Sequence, residues 1–367
     1  MVYYVYAFFM KPFLYGAVHG HIALDTSDCP PKLKCLNTCT RLMNMEPNVL
    51  ALENVGPLSE AQIELIRGLT VLYGLHGTGK TTVARALRLL ALMSAGVATA
   101  GDVVKLVKRH LRHANRPSVE KEVGRIAYST ADAELEIRCA PNVRGAWLKV
   151  GGWERYADMD ERLPAVGKPR VVLLWVAHDD ALKLYGVGVP ERRLSLGELL
   201  TPSVFRGIVA HAYDDAMELY EEVLDKVNSM LEAADYTAVY RDGIYFRRGI
   251  HVYMPDEISS GIRRFTIIYL AAVMAKLIAD YTKVEPVLFV ENVESSLDVT
   301  LMSTVVDILR TNGVVSVVET HSGFPLKAAV IRKNMNHYVF ANGRATRDLK
   351  AELFEKEIAE WANVNAL

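Results

Sequence analysis

Glutamine is nearly missing from this chain of 367 residues, with Gln62 the only one. Depletion of thermolabile amides is one trait of heat-adapted proteins. Cysteine is scarce as well: Cys29, Cys35, Cys39 and Cys139 are the whole set. The uneven gaps of the first three do not match the close C-x-x-C pairs of common zinc sites, and a disulfide framework is not expected in a large chain without a clear secretory signal. His19 and His21 would complete a tetrahedral set, but free thiols in a loop-like segment are the preferred reading. Net charge is also lacking, at −1, so no global field draws the chain to nucleic acid or to a membrane surface. Finally, no apolar run here spans a bilayer. Met1–Met10 is apolar and aromatic, but Lys11-Pro12 interrupts it well short of the roughly 20 residues required. That segment has neither a basic n-region nor a small-residue cleavage site, so a signal peptide fits poorly and a cytoplasmic location is expected.

What is present reads as a globular protein with a full core, 51% hydrophobic and 23% charged. The length suits one large domain with an insertion, or two domains. Residues 1–46 differ from the rest, turning loop-like from Ser27 to Asn44 around Pro30-Pro31. Met43 and Met45 stand just before a clear strand. The segment is either a non-conforming extension or an upstream misreading of the start.

One run carries chemistry by itself. Gly74-Leu75-His76-Gly77-Thr78-Gly79-Lys80-Thr81 fits G-x-x-x-x-G-K-[ST]. Leu69–Tyr73 before it reads as a short buried strand, and Thr82–Leu92 after it is apolar at helical spacing. Strand, glycine loop and helix in that order aim backbone N–H groups and a positive helix end at one small volume. An anion is favoured there. Gly74, Gly77 and Gly79 allow the loop to approach phosphates closely. His76, Thr78 and Thr82 complete its lining through largely backbone contacts. Lys80 supplies a mobile charge for the outer phosphates, and the Thr81 hydroxyl is a ligand for Mg²⁺. The implied cofactors are ATP and Mg²⁺.

Strands are expected at Asn48–Glu53, Ala61–Ile66, Arg125–Tyr128, Leu135–Arg138, Ala146–Val150 and Val171–Val176. A helix is expected from Asp102 to about Ala114. Tyr213–Ala234 is the most regular helix, with Met217, Tyr220, Leu224, Val227 and Leu231 at alternating spacings of three and four. That seam covers about two heptads, so packing on its own domain is preferred over a coiled coil. A hairpin is expected around Asp242-Gly243. Then helix Gly261–Thr282, strand Val287–Val290, helix Val299–Asn312 and strand Val314–Glu319 alternate as in a helix-flanked parallel sheet.

The late strands end on more motifs. Val287-Leu288-Phe289-Val290 runs into Glu291, where a P-loop NTPase keeps a carboxylate for Mg²⁺. Glu291-Asn292-Val293-Glu294-Ser295-Ser296-Leu297-Asp298 aligns without a gap on the acid-acid-Pro-x-Ser-x-Leu-Asp segment of ATP-binding-cassette ATPases. Thr320-His321-Ser322 falls where that family keeps its switch histidine, and Ile258-Ser259-Ser260-Gly261 opens a helix like the family's Leu-Ser-Gly-Gly signature. The chain thus resembles the soluble ATP-binding-cassette ATPases of the SMC-like and RecF-like group. Glu53-Asn54-Val55-Gly56-Pro57 before the phosphate loop resembles that group's opening too.

The resemblance implies an α/β fold: a P-loop NTPase with a mixed, largely parallel sheet flanked by helices, plus an inserted α+β lobe. Residues 47–100 and 256–346 would form a discontinuous ATP-binding head, 101–255 the inserted lobe and 347–367 a C-terminal helix. It further implies a homodimer closed around Mg-ATP, with Lys80, Thr81 and Glu291 of one subunit facing Ser259 and Gly261 of the other. Departures accompany the matches. Asn292 stands where the family has its catalytic glutamate, and it cannot accept a proton as a base. Glu294 is the nearest substitute, and His321 the expected γ-phosphate sensor. The family's glutamine at Mg²⁺ has no counterpart, because Gln62 precedes the phosphate loop.

Three functions follow: an ATPase coupling nucleotide state to movement of the inserted lobe, a nucleotide-binding scaffold with little turnover, and direct nucleic-acid binding. The last rests on Lys105, Lys108, Arg109, Arg112 and Arg116, with His110 and His113 added. Internal pairing with the acidic stretch Asp214, Asp215, Glu218, Glu221, Glu222 and Asp225 is preferred for that face. DNA and a partner nuclease are candidate partners that no motif distinguishes.

Overall fold

The computed structural model describes residues 48–108, 123–139, 144–165, 170–186, 191–201, 203, 216–232, 235–240, 244–281 and 284–348. The N-terminal extension with Cys29, Cys35 and Cys39 lies outside the described residues. So do Arg109, Arg112 and Arg116, Asp214 and Asp215, the Asp242-Gly243 turn and residues 349–367 of the expected C-terminal helix.

The chain opens with β1 (Asn48–Val55), β2 (Leu58–Leu65) and β3 (Gly68–Gly74), then α1 (Lys80–Ser94) and α2 (Ala100–Lys108). Four strands follow, β4 (Gly124–Thr130), β5 (Ala133–Cys139), β6 (Gly145–Val150) and β7 (Trp153–Asp158). Next come β8 (Val171–Val176), β9 (Leu182–Tyr185), β10 (Arg192–Leu194), α3 (Leu196–Leu199) and α4 (Ala216–Leu231). A three-stranded ribbon of β11 (Thr237–Tyr240), β12 (Ile244–Arg248) and β13 (His251–Tyr253) leads to the long α5 (Ser260–Tyr281). The end of the chain alternates: β14 (Glu285–Val290), α6 (Val299–Thr311), β15 (Val315–Thr320), α7 (Gly323–Ile331), β16 (Met335–Ala341) and β17 (Arg344–Thr346).

A single 14-stranded sheet holds this together, in the order β10-β9-β8-β14-β15-β3-β16-β17-β2-β1-β4-β5-β6-β7. The architecture is α/β with a mixed sheet, as expected, but the sheet is not largely parallel, since eight of its thirteen neighbouring pairs are antiparallel. Parallel pairing is concentrated at its centre, where β8, β14, β15, β3 and β16 run together. Their sequences explain this. Val171–Val176 and Val315–Thr320 are buried at every position, and only a strand covered on both faces keeps such a run out of water. Along β14, Leu288 and Val290 join one apolar cluster with α5 and α6, while Val287 and Phe289 join the cluster under α1. The period-two alternation of a strand therefore serves two cores.

Residues 101–255 do not stand apart from this sheet. β8 is a central strand, paired in parallel with β14 from Glu285↔Val171 to Val290↔Val176. β4 extends the β1–β2 edge through antiparallel pairs such as Leu50↔Tyr128, and β5, β6 and β7 follow it outward. Of the described elements in this stretch after α2, α3, α4 and the β11–β13 ribbon lie off the sheet, and Leu199, Tyr220, Val223, Val227, Leu231 and Phe246 pack into the α5 cluster. The seam of α4 thus faces its own domain. α2 belongs to the other core, with Val103, Leu106 and Val107 joining the α1 cluster. Among the described residues, Lys105 on α2 is exposed, while on α4 Glu222 pairs with Lys226 one turn on.

Candidate functional site

The phosphate loop leaves β3 at Gly74, whose φ of 155° and close approach to β16 require glycine. A Cβ there would sit 2.6 Å from the Phe340 carbonyl oxygen. α1 then starts at Lys80, which is 3% exposed. Its Nζ donates to the Gly74 and Leu75 carbonyls at 2.6 and 2.9 Å and lies 4.0 Å from Glu319 Oε1. Burial lowers the lysine's pKa, and Glu319 and Glu294 oppose that shift. The loop is thus curled around its own ammonium. Thr78 Oγ1 ties back to Leu75 at 2.8 Å, and the Thr82 N–H bonds Gly79. His76 and Gly77 face solvent, and Thr82 is buried.

Thr81 Oγ1 donates to Glu319, 3.1 and 3.0 Å from its two carboxylate oxygens. Glu319 is 5% exposed, and burial pushes its pKa up to about 6 against the pull of Lys80 and Thr81, with Glu291 and Glu294 adding to the rise. The motifs do not single out this residue. Its one signal in the sequence is an acid closing the apolar run Val315–Val318.

Glu291 sits at the end of β14 as expected, but its carboxylate meets other partners. Trp175 Nε1 donates to its Oε2 at 3.3 Å, and His178 Nδ1 lies 3.6 Å away. Asn292 has a left-handed backbone, φ 46°, and its side-chain Oδ1 is buried without a hydrogen-bond partner. Glu294 accepts from Thr320 Oγ1 at 2.7 Å and from the His321 N–H at 2.8 Å, so both its oxygens cap the end of β15. His321 Nδ1 is 3.5 Å from Lys80 Nζ, and its ring stacks on His76 at 3.8 Å between centroids. Burial, then Lys80 and His76, lower its pKa, keeping the imidazole neutral near pH 7.

The serine-led turn is on the surface. Ser259 and Ser260 are exposed, and Ser259 Oγ accepts the Ile262 N–H at 3.4 Å as the cap of α5. At Gly261 a Cβ would meet the Ser296 carbonyl oxygen at 2.7 Å, so the turn lies against the loop that follows Glu291. Arg264, wholly buried, fastens the two together. Its guanidinium donates to the carbonyls of Ala177 and Glu291, to Asn292 O at 3.4 Å and to Asp180 Oδ1 at 3.4 Å. Nothing local in the sequence marks Arg264 for this role, since it stands beside Arg263 like half of a solvated basic pair.

The residues fit a magnesium–triphosphate ligand. The cradle has no room for a side chain at Gly74 or Gly79, Lys80 is held where outer phosphates would lie, and Thr81 with the nearby carboxylates offers the hard oxygen donors that Mg²⁺ takes. Among the described residues no cluster of three or more His, Cys, Asp or Glu forms a metal cage by itself. No helix among them is long and apolar enough to cross a membrane.

Solved structures share this architecture. The SMC head bound to the C-winged helix domain of ScpA superposes with a TM-score of 0.52 at 15% identity, covering 82% of this chain and 96% of that one. An Smc head domain with an extended coiled coil from Pyrococcus furiosus gives 0.47 at 11%, covering 87% and 99%. The recombination mediator protein RecF gives 0.43 at 12%, covering 82% and 98%. The first of these carries the fold assignment. No family model and no curated protein matches the chain. The chain has the fold of an SMC head domain.

Proposed function

We propose that the protein binds Mg-ATP on the Lys80–Thr81 loop and that the nucleotide joins two copies of the chain. Each site would be completed by Ser259 and Gly261 of the second copy. The observation that carries this reading is the buried Lys80 ammonium, held at the mouth of a strand–glycine loop–helix unit with Thr81 and a carboxylate beside it. On nucleotide binding, Lys80 exchanges two carbonyls for phosphate oxygens, and the α1 N-terminus adds its N–H groups. Bound Mg²⁺ would neutralise phosphate charge. The exposed α5 N-terminus offers a second set of N–H groups, useful only toward an anion presented from outside the chain. α5 is joined by Arg264 to the Glu291–Asn292 loop and packs against α4 and the β11–β13 ribbon. A change at the nucleotide is thereby coupled to movement of that off-sheet part.

Analytical ultracentrifugation with and without Mg-ATP tests the reading. The natural chain is expected to dimerise with Mg-ATP and Lys80→Ala to stay monomeric. An unchanged monomer at saturating nucleotide would remove the proposal.

A second reading, a nucleotide switch with little turnover, is favoured by Asn292, which cannot accept a proton from water as a base, and by Glu294, whose two oxygens are tied to the end of β15. Phosphate release from the natural chain, compared with Asn292→Glu, separates the two. Turnover at ordinary enzyme rates of about 1 s⁻¹ or more in the natural chain would eliminate the switch.

A further inference from the structure

We propose that Glu319, on the strand beside the phosphate loop, is the carboxylate that holds the Mg²⁺ of a bound nucleotide at Thr81, in place of Glu291. The proposal rests on the nucleotide-binding reading above and gives it a residue that the aligned motifs do not include.

Topology comes first. β15 is the immediate parallel neighbour of β3, with Glu319 paired to Leu72 and Thr320 to Tyr73, whereas β14 lies one strand farther out. A side chain at the end of β15 therefore reaches the first turn of α1 without crossing another strand. Contact comes second. Both Glu319 oxygens lie within 3.1 Å of Thr81 Oγ1, so a cation taken by that hydroxyl arrives beside this carboxylate. The Glu291 carboxylate is engaged by Trp175 Nε1 and neighbours His178. Charge balance comes third. Among the described residues the cation paired with Glu319 is Lys80, at 4.0 Å. When Lys80 turns to phosphates, a nearly buried carboxylate loses its counter-charge, which is costly in a low-dielectric site. A divalent ion between Glu319 and the phosphates restores the balance, and Mg²⁺ is commonly held by one or two carboxylates plus phosphate oxygens.

The test uses the full chain and Mn²⁺ as the spectroscopic stand-in for Mg²⁺. Free Mn²⁺ is followed by electron paramagnetic resonance in the presence of ADP, and metal-free ADP binding is measured by calorimetry in EDTA. Glu319→Gln is expected to weaken Mn²⁺ binding by about tenfold or more, within the range for lost metal-site partners, while ADP affinity in EDTA stays equal or rises. Glu291→Gln is expected to keep Mn²⁺ affinity within about threefold, well under a kcal/mol. Manganese loss in Glu291→Gln with retention in Glu319→Gln overturns the proposal, as does equal loss in both. Should Glu319→Gln fail to fold, Glu319→Asp is read in its place by the same two measurements. Absence of ADP binding to the natural chain, with or without metal, overturns the nucleotide-binding reading and this proposal with it. Normal ADP binding with the wrong carboxylate dependence overturns this proposal alone.

Discussion

The two halves of the candidate site are built on opposite terms. The phosphate-loop half is buried at Lys80 and Glu319, and its polar groups are engaged within the chain: Lys80 by two carbonyls and Glu319, Thr81 by Glu319, the His321 ring by the neighbouring His76 ring and its N–H by Glu294. The serine half is exposed in front and fixed behind, with Gly261 pressed on Ser296 and Arg264 bonded to the Glu291 carbonyl. A ligand must displace existing bonds to enter the first half. It would meet the second already shaped. Such a difference suits a site in which one half selects the ligand and the other waits for it on another copy.

The largest effect is expected from the strut between the halves. Arg264→Ala takes the guanidinium donor from the Ala177 and Glu291 carbonyls, leaving Ala177 with the Asp180 N–H alone, and leaves Asp180 with one cation fewer. Breaking a buried ionic group in this way costs about 3 kcal/mol or more. Urea denaturation should show that loss, and Arg264→Lys should recover only part of it, since a single ammonium cannot span the same acceptors. A loss below about 1 kcal/mol would mean that the halves are held together by apolar packing around α5 instead.

Next in size is the loop itself. Lys80→Ala removes a charge-assisted contact to phosphate worth about 1.5–3 kcal/mol, so calorimetry should register a roughly tenfold to hundredfold loss of ATP affinity. An unchanged affinity would separate the curled loop from any nucleotide.

Much of this comparison is legible in the order of residues alone. The strand, glycine loop and helix around Lys80 are local in sequence, as is the apolar run into Glu291, so periodicity and spacing suffice for them, while Ser259 is picked out by its resemblance to the signature segment. Glu319 is not local information. The acid itself is plain at the end of β15, but its place beside Thr81 follows from β15 lying next to β3, a matter of sheet order. Arg264 is hidden for a similar reason, because its burial depends on Ala177 and Asp180, more than 80 positions away. The stretch 101–255 reads as an inserted lobe because it lies between motifs. Long-range pairs such as Leu50↔Tyr128 and Phe289↔Trp175 return it to the main sheet. β7 gives no strand signal since five of its six residues are exposed, leaving no apolar alternation to detect.

A pH series sharpens the buried half. Glu319 is raised from 4.5 to about 6 in the folded chain. A carboxyl raised in this way favours the folded state when protonated. Its contribution is therefore complete below about pH 4.5 and is lost as pH rises through 6. The shift corresponds to about 2 kcal/mol. Glu319→Gln has no such proton to lose. Without nucleotide, the stability of the natural chain relative to this variant should fall between pH 4.5 and 7. A flat difference across that window would mean that Lys80 compensates the ionised carboxylate fully.

The smallest effect on stability, and the sharpest on assembly, is expected at the exposed half. Ser259→Asp keeps a side-chain oxygen for the Ile262 N–H, and aspartate caps a helix as well as serine does. The fold should therefore change by no more than about 0.5 kcal/mol, the ordinary range for a surface site. The added charge would nonetheless face a γ-phosphate across the proposed interface, where two anions repel in partly excluded water. Mg-ATP should then fail to join two copies of Ser259→Asp, while each copy alone binds the nucleotide as before. If the dimer survives this substitution, the serine turn does not complete a second copy's site, and the unequal halves of the molecule must be explained by the chain on its own.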